Sequence, residues 1–135
     1  MAEGFARYYG ADVMEAGSAG LSPAPIVQPL TKEVMLEKDI DIDGQFPKDL
    51  SGFSLSSFDL LINISGVKLP GRIPIEMQEW KIEDPIGRSP EVYREVRDQI
   101  ETLVMRLILE LRRDMTDSSR SSLSRRFSLL RRRSR

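Results

Sequence analysis

Apolar positions along the chain fall into two periods. Met1, Phe5 and Tyr9 recur at every fourth residue, with Ala2 and Ala6 beside them, which predicts an amphipathic helix closed by Gly10. No Ser, Thr, Asp or Asn stands before Met1 to cap that helix. Residues 12–16 read as a short strand that runs into a turn at Gly17-Ser18-Ala19-Gly20. Pro23, Pro25 and Pro29 keep the next stretch irregular, and residues 30–38 return to helical spacing with Thr31 as the cap. Residues 59–65, DLLINIS, are the clearest strand, apolar on successive positions as in a strand buried on both faces; Asn63 there needs a partner. A Gly/Pro loop over 66–75 leads to a last short strand at 79–82. Ser89-Pro90-Glu91 then starts a helix, with an N-cap, a proline at the first turn and an acid in that turn. Its stripe is Val92, Val96, Ile100, Leu103, Leu107 and Leu111, widened by Tyr93, Val104 and Ile108, and it runs to about Arg113. Helices alternating with buried strands indicate an α/β layer on a parallel sheet.

Charge divides the chain in two. Residues 1–111 hold 11 Lys+Arg and 19 Asp+Glu, a net of −8; residues 112–135 hold nine Arg and two Asp, a net of +7. The expected organisation is one folded domain over 1–111 and a disordered Arg/Ser-rich tail over 112–135. No apolar run approaches the ~20 residues of a membrane span. The chain has no cysteine and no histidine, which excludes disulfides, thiolate chemistry and Ser–His–Asp catalysis within it.

Three segments carry candidate chemistry. Asp39, Asp41, Asp43 and Gly44 imitate the start of a calcium loop, but its ninth and twelfth positions are Pro47 and Leu50, so the segment reads as a solvated acidic loop. Asp84-Pro85 follows an apolar-aromatic segment, where α/β sheets place active sites, and a buried Asp84 could protonate a leaving group. The tail arginines could pair with phosphates of nucleic acid or with an anionic surface. Arg125-Arg126-Phe127-Ser128 has the basic-then-serine pattern of a kinase substrate.

MAEGFARYYG, EAGSAGL, DIDIDGQFPKDL and EWKIEDPIGRSPEVYREVRDQIETLV occur in one order and spacing. As a set they resemble the low-molecular-weight protein tyrosine phosphatases, which share their fold with thioredoxin-coupled arsenate reductases. The resemblance implies a three-layer parallel sheet of the low-molecular-weight phosphatase type over 1–111. It also implies a chain lacking the first strand and the Cys-x5-Arg phosphate-binding loop that precede Met1's position in the family. It makes Asp84 the general acid and Ser18 a residue that orders the phosphate loop. It implies no cofactor, a cytoplasmic setting, and a phosphorylated protein or small phosphate monoester as substrate. Ser65-Gly66 stands where the reductase branch typically has Cys-Gly, which ranks the phosphatase above the reductase.

The family's missing strand lies inside the sheet. The expectation is therefore a shortened, inactive phosphatase that is unstable or rearranged. Behind it rank a truncated pseudoenzyme acting as a binding module, and a role for the basic tail as an anchor to nucleic acid or an anionic surface.

Overall fold

In the computed structural model, residues 1–21 and 27–116 are described in full, and residue 117 and residues 125–131 by their backbone alone. Three helices and four strands succeed one another: α1 (Ala2–Gly10), β1 (Met14–Gly20), α2 (Pro29–Leu36), β2 (Leu60–Ile64), β3 (Glu76–Glu79), α3 (Pro90–Asp117) and β4 (Arg125–Arg131). The strands form one sheet in the order β1-β4-β2-β3, and every pairing is parallel. This is the parallel α/β sheet that the resemblance implied. No helix among the described residues is long and apolar enough to cross a membrane.

The last strand in sequence is therefore an inner strand in space. Residues 125–131 pair along their whole length with β1, Met14 opposite Arg125 through Gly20 opposite Arg131. They also pair with β2, from Leu60 opposite Phe127 to Ile64 opposite Arg131. β4 thus occupies the inner position between β1 and β2. This corrects the expectation of a disordered tail over 112–135: residues 112–117 continue α3 and residues 125–131 are a strand. The physical reason lies in that inner position. A vacant inner position leaves two rows of unpaired N–H and C=O groups, and a strand that pairs with both rows satisfies them. Residues 118–124 and 132–135, like Pro23 and Pro25, lie outside the described residues.

One face of the sheet, through Met14, Leu60, Ile62 and Ile64, packs under α1, α2 and α3. The other face, through Ala19 and Leu61, is covered by loops and two 3-10 turns that bring in Leu50, Phe53, Leu55, Ile73 and Ile75. Strand β2 is buried at all five positions, as its continuous apolar run requires. On α3 the fully shielded row is Tyr93, Val96, Ile100, Val104, Leu107, Ile108 and Leu111, while Val92 and Leu103 are only half-buried. The contact face is thus rotated toward the residues that had only widened the stripe, because α3 must meet α1 and α2 as well as the sheet.

Strand β1 begins at Met14 and includes Gly17–Gly20, which the sequence pattern assigns to a turn. Glycine serves there for closeness: an added Cβ at Gly17 would lie 3.3 Å from the Phe53 ring. Gly10 also differs from its expected role. It is the last helical residue, with Ala11 after it in right-handed geometry, so it is not a left-handed cap. Its lack of a side chain lets α1 approach α3, since a Cβ would stand 2.9 Å from Ile108 Cγ1 and Cδ1.

Helix α2 is tied to α3 by charge. Glu37, just past α2, receives two parallel bonds from Arg94, Nε to Oε1 and Nη2 to Oε2, both at 3.0 Å. Buried Arg97 also donates to Glu37, to the Val34 carbonyl at 2.9 Å and to Asp98 at 2.8 Å. The hydrogen bonds from Arg94, then Arg97, hold the Glu37 carboxyl below its ordinary 4.5.

Two predictions follow from this packing. Gly10→Ala gains ~1 kcal/mol of helix propensity but overpacks Ile108 at ~1–3 kcal/mol, so it should destabilise the protein by about 1 kcal/mol in chemical denaturation. A lowered folded pKa gives stability that is complete above pH 4.5 and is lost as pH falls through the folded value. Glu37→Gln should flatten the acid limb of the stability–pH curve below 4.5 and leave its neutral region with the smaller slope it already has.

Candidate functional site

Parallel strands all end on the same edge, and here Gly20 of β1, Arg131 of β4 and Ile64 of β2 are register neighbours at that edge. Open α/β sheets bind ligands at this carboxyl edge. Three polar clusters of the described residues lie on β1, on β2 and on the loop after β3.

The β1 cluster centres on Glu3 in the first turn of α1. Its side chain is 3% exposed, yet it carries a carboxylate. Burial of a charge is tolerated when partners surround it. Arg7 Nε stands 2.7 Å from Oε2, Lys48 Nζ stands 3.5 Å from Oε1, and the Ser18 hydroxyl donates to Oε1. Arg7 and Glu3 are i and i+4 on α1, so helix geometry alone brings them together. Arg7 also donates to the Ala16 carbonyl at 3.1 Å, fastening α1 to β1. Glu3, Arg7 and Lys48 open onto a cleft of about 630 Å³, which Phe46, Phe53 and Phe58 line on the apolar side. Asp41, from the acidic loop, lies on the same cleft; its carboxylate accepts from the Asp43 N–H at 2.9 Å, and Asp43 itself pairs with Lys32.

At the end of β2, Asn63 finds the partner its burial demands. Its amide donates to the Val67 carbonyl at 2.9 Å, and its Oδ1 accepts from the Ser65 N–H at 3.0 Å and the Ser65 hydroxyl at 2.6 Å. The Val67 N–H returns to Ser65 Oγ at 3.2 Å. Gly66 sits at φ 78, which lets the chain reverse so tightly. Ser65 is 0% exposed and spends its hydroxyl within this loop.

After β3 the chain passes over the end of β2, and Asp84 is half-buried there. Its Oδ1 accepts from the Ile86 N–H at 3.1 Å, and the Arg88 N–H donates to the Pro85 carbonyl at 2.9 Å. Gly87, at φ 75, supplies the left-handed position of that turn. Asp84 and Pro85 line a small pocket with Ile64, Ile82, Val96 and Ile100.

The two site residues predicted from sequence are thus both at the carboxyl side of the sheet but not in one cluster. Ser18 bonds Glu3, while Asp84 bonds the backbone of its own turn. Among the described residues, the Asp84 pocket and the Glu3 cleft share no lining residue. Glu3 and Lys48 are the polar residues that sequence reasoning passed over. The i, i+4 pair Glu3–Arg7 was visible; the approach of Lys48 depends on tertiary folding.

Comparison with known proteins corrects the choice of branch. A family model for low molecular weight phosphotyrosine protein phosphatase matches residues 1–70. The glutaredoxin arsenate reductase of Synechocystis is 36% identical over 115 residues, 82% of this chain and 87% of that protein. A putative arsenate reductase of Halobacterium salinarum is 31% identical over 76% of this chain and 73% of its own length. A solved arsenate reductase in the phosphate binding state superimposes with a TM-score of 0.75 at 36% identity, covering 82% of this chain and 86% of that one. The preference for a phosphatase acting on phosphate monoesters is therefore overturned. Ser65 carries no thiol, yet the likeness to reductases extends across 82% of the chain. Matched by the family model over more than half its length, and by reductases across most of it, the chain belongs to the low molecular weight phosphotyrosine protein phosphatase family.

Proposed function

We propose that this chain works in the arsenate reductase branch as a binder of a tetrahedral oxyanion of the arsenate or phosphate kind, and does not itself reduce it. The observation that carries this reading is the 36% identity to a glutaredoxin arsenate reductase across 82% of a chain with no cysteine. Reduction of arsenate to arsenite takes two electrons. In thiol-coupled reduction they come from thiolates that end as a disulfide. A chain without cysteine has no thiolate to give those two electrons and become that disulfide, so binding is the part of the chemistry its residues can perform.

Several features support binding at the carboxyl edge. The Asp84 turn and the Asn63–Ser65–Val67 loop hold that edge in a fixed shape through backbone bonds. Glu3 does not repel an anion as a bare carboxylate would, because Arg7 and Lys48 neutralise it.

Calorimetric titration of the purified chain with arsenate should give saturable binding. A coupled assay with glutathione, glutaredoxin and NADPH should show no arsenate-dependent oxidation above the protein-free rate. Heat of binding absent at millimolar arsenate, or turnover in the coupled assay, would overturn the reading. Ser18→Ala leaves buried Glu3 with one donor fewer and should cost about 1–2 kcal/mol of stability by urea denaturation.

A further inference from the structure

We propose that the cleft between α1, β1 and residues 41–58 is a binding site for a small aromatic zwitterion of the aromatic α-amino acid class. The inference does not rest on oxyanion binding: among the described residues, this cleft and the Asp84 pocket share no lining residue.

Size and aromatic lining select the body of the ligand. The volume of about 630 Å³ lies within the ~300–1,000 Å³ of small-molecule sites, and three phenylalanines line it. The Phe53 and Phe58 rings have centroids 5.8 Å apart at 49°. Gly17 lets that pair lie against β1, since a Cβ there would stand 3.3 Å from Phe53 and 3.9 Å from Phe58. Phe46 is 65% exposed, and the Lys48 ammonium sits 4.6 Å from its ring centroid. A flat apolar ring set among these faces leaves water and gains aromatic contacts as well.

Charge selects the polar ends. Glu3 is 3% exposed while Arg7 beside it is 60% exposed, so the pair presents its cation and hides its anion. Arg7 spends Nε on Glu3 and Nη2 on the Ala16 carbonyl; among the described residues its Nη1 has no partner. Lys48 adds a second cation to the same cluster. A ligand carboxylate completes the hydrogen bonding of such a guanidinium. Asp41 and Glu15 bring the opposite charge to the lining. Asp41 is exposed, and one of its oxygens accepts the Asp43 N–H. Lys32 pairs with Asp43, and among the described residues no cation pairs with Asp41. A ligand with a carboxylate alone meets Asp41 as a like charge, and one with an ammonium alone meets Arg7 and Lys48. A ligand carrying both groups is complementary to both.

The test titrates the full chain, by calorimetry, with L-phenylalanine and with probes that each lack one feature: phenylpropionate without the ammonium, phenethylamine without the carboxylate, and glycine without the ring. L-phenylalanine should bind saturably at millimolar concentration or below, and each of the others at least about tenfold more weakly. Its addition should shift the amide resonances of Gly17, Gly44 and Phe53, which line the cleft. Asp41→Asn should weaken L-phenylalanine about fivefold, the upper end for an exposed ion pair, and leave phenylpropionate within about twofold. Phe46→Ala should weaken both ligands about tenfold. Both side chains are exposed, so neither change opens the core. No saturable binding of L-phenylalanine, glycine binding as tightly as it does, equal losses for the two ligands in Asp41→Asn, or unchanged affinity in Phe46→Ala would each overturn the proposal.

Discussion

The structure depends on the hydrogen-bond demand of one inner strand position. β1 and β2 do not pair with each other; each pairs with β4, and β3 is attached only through β2. Without a strand there, the sheet becomes an isolated β1 and an isolated β2–β3 pair. Each unmet buried backbone group costs ~1–3 kcal/mol, and several together rival the ~5–15 kcal/mol that stabilise a whole domain. The helices inherit the same dependence. α1 packs on β1, while the buried face of α3 spans α1 and the β2 side of the core, so the apolar layer is continuous only if the sheet is.

That constraint also organises the carboxyl edge. Ser18 lies two residues before the end of β1, Ser65 directly follows β2, and the Asp84 turn follows β3. These positions share an edge only because every strand runs the same way. Each polar group there is spent on local geometry: Ser18 on Glu3, Ser65 on Asn63, Asp84 on the Ile86 N–H. The arrangement is a framework held by hydrogen bonds that serine hydroxyls make well and that need no thiol. A likeness to arsenate reductases therefore coexists with a composition that contains no cysteine.

The legible parts of the sequence were those governed by short-range periodicity. The row Met1, Phe5 and Tyr9 gives a stacked Phe5–Tyr9 pair on α1. Ser89-Pro90 does open α3, and DLLINIS does become the fully buried β2. Asp84-Pro85 followed by Gly87 marks a turn whose glycine has the required positive φ. The two glycine misreadings share a cause. Glycine has two uses, freedom of φ and absence of a Cβ, and sequence alone does not distinguish them. Gly10 and Gly17 were read for φ, yet both serve close approach, to Ile108 and Phe53. β4 was invisible for a different reason: its composition, Arg-rich and broken by Ser128, describes a solvated segment, and only the long-range vacancy between β1 and β2 makes it a strand.

The charge asymmetry then takes on a structural meaning that composition alone does not give it. A basic segment beside an acidic body suggests an arm for nucleic acid or an anionic surface. In the sheet, however, Arg126 is in register with Glu15, and Arg125 and Arg131 are in register with Met14 and Ile64. A partner that took this strand out of the sheet would compete with the backbone bonds to β1 and β2, and those bonds close the sheet on which the apolar layer rests.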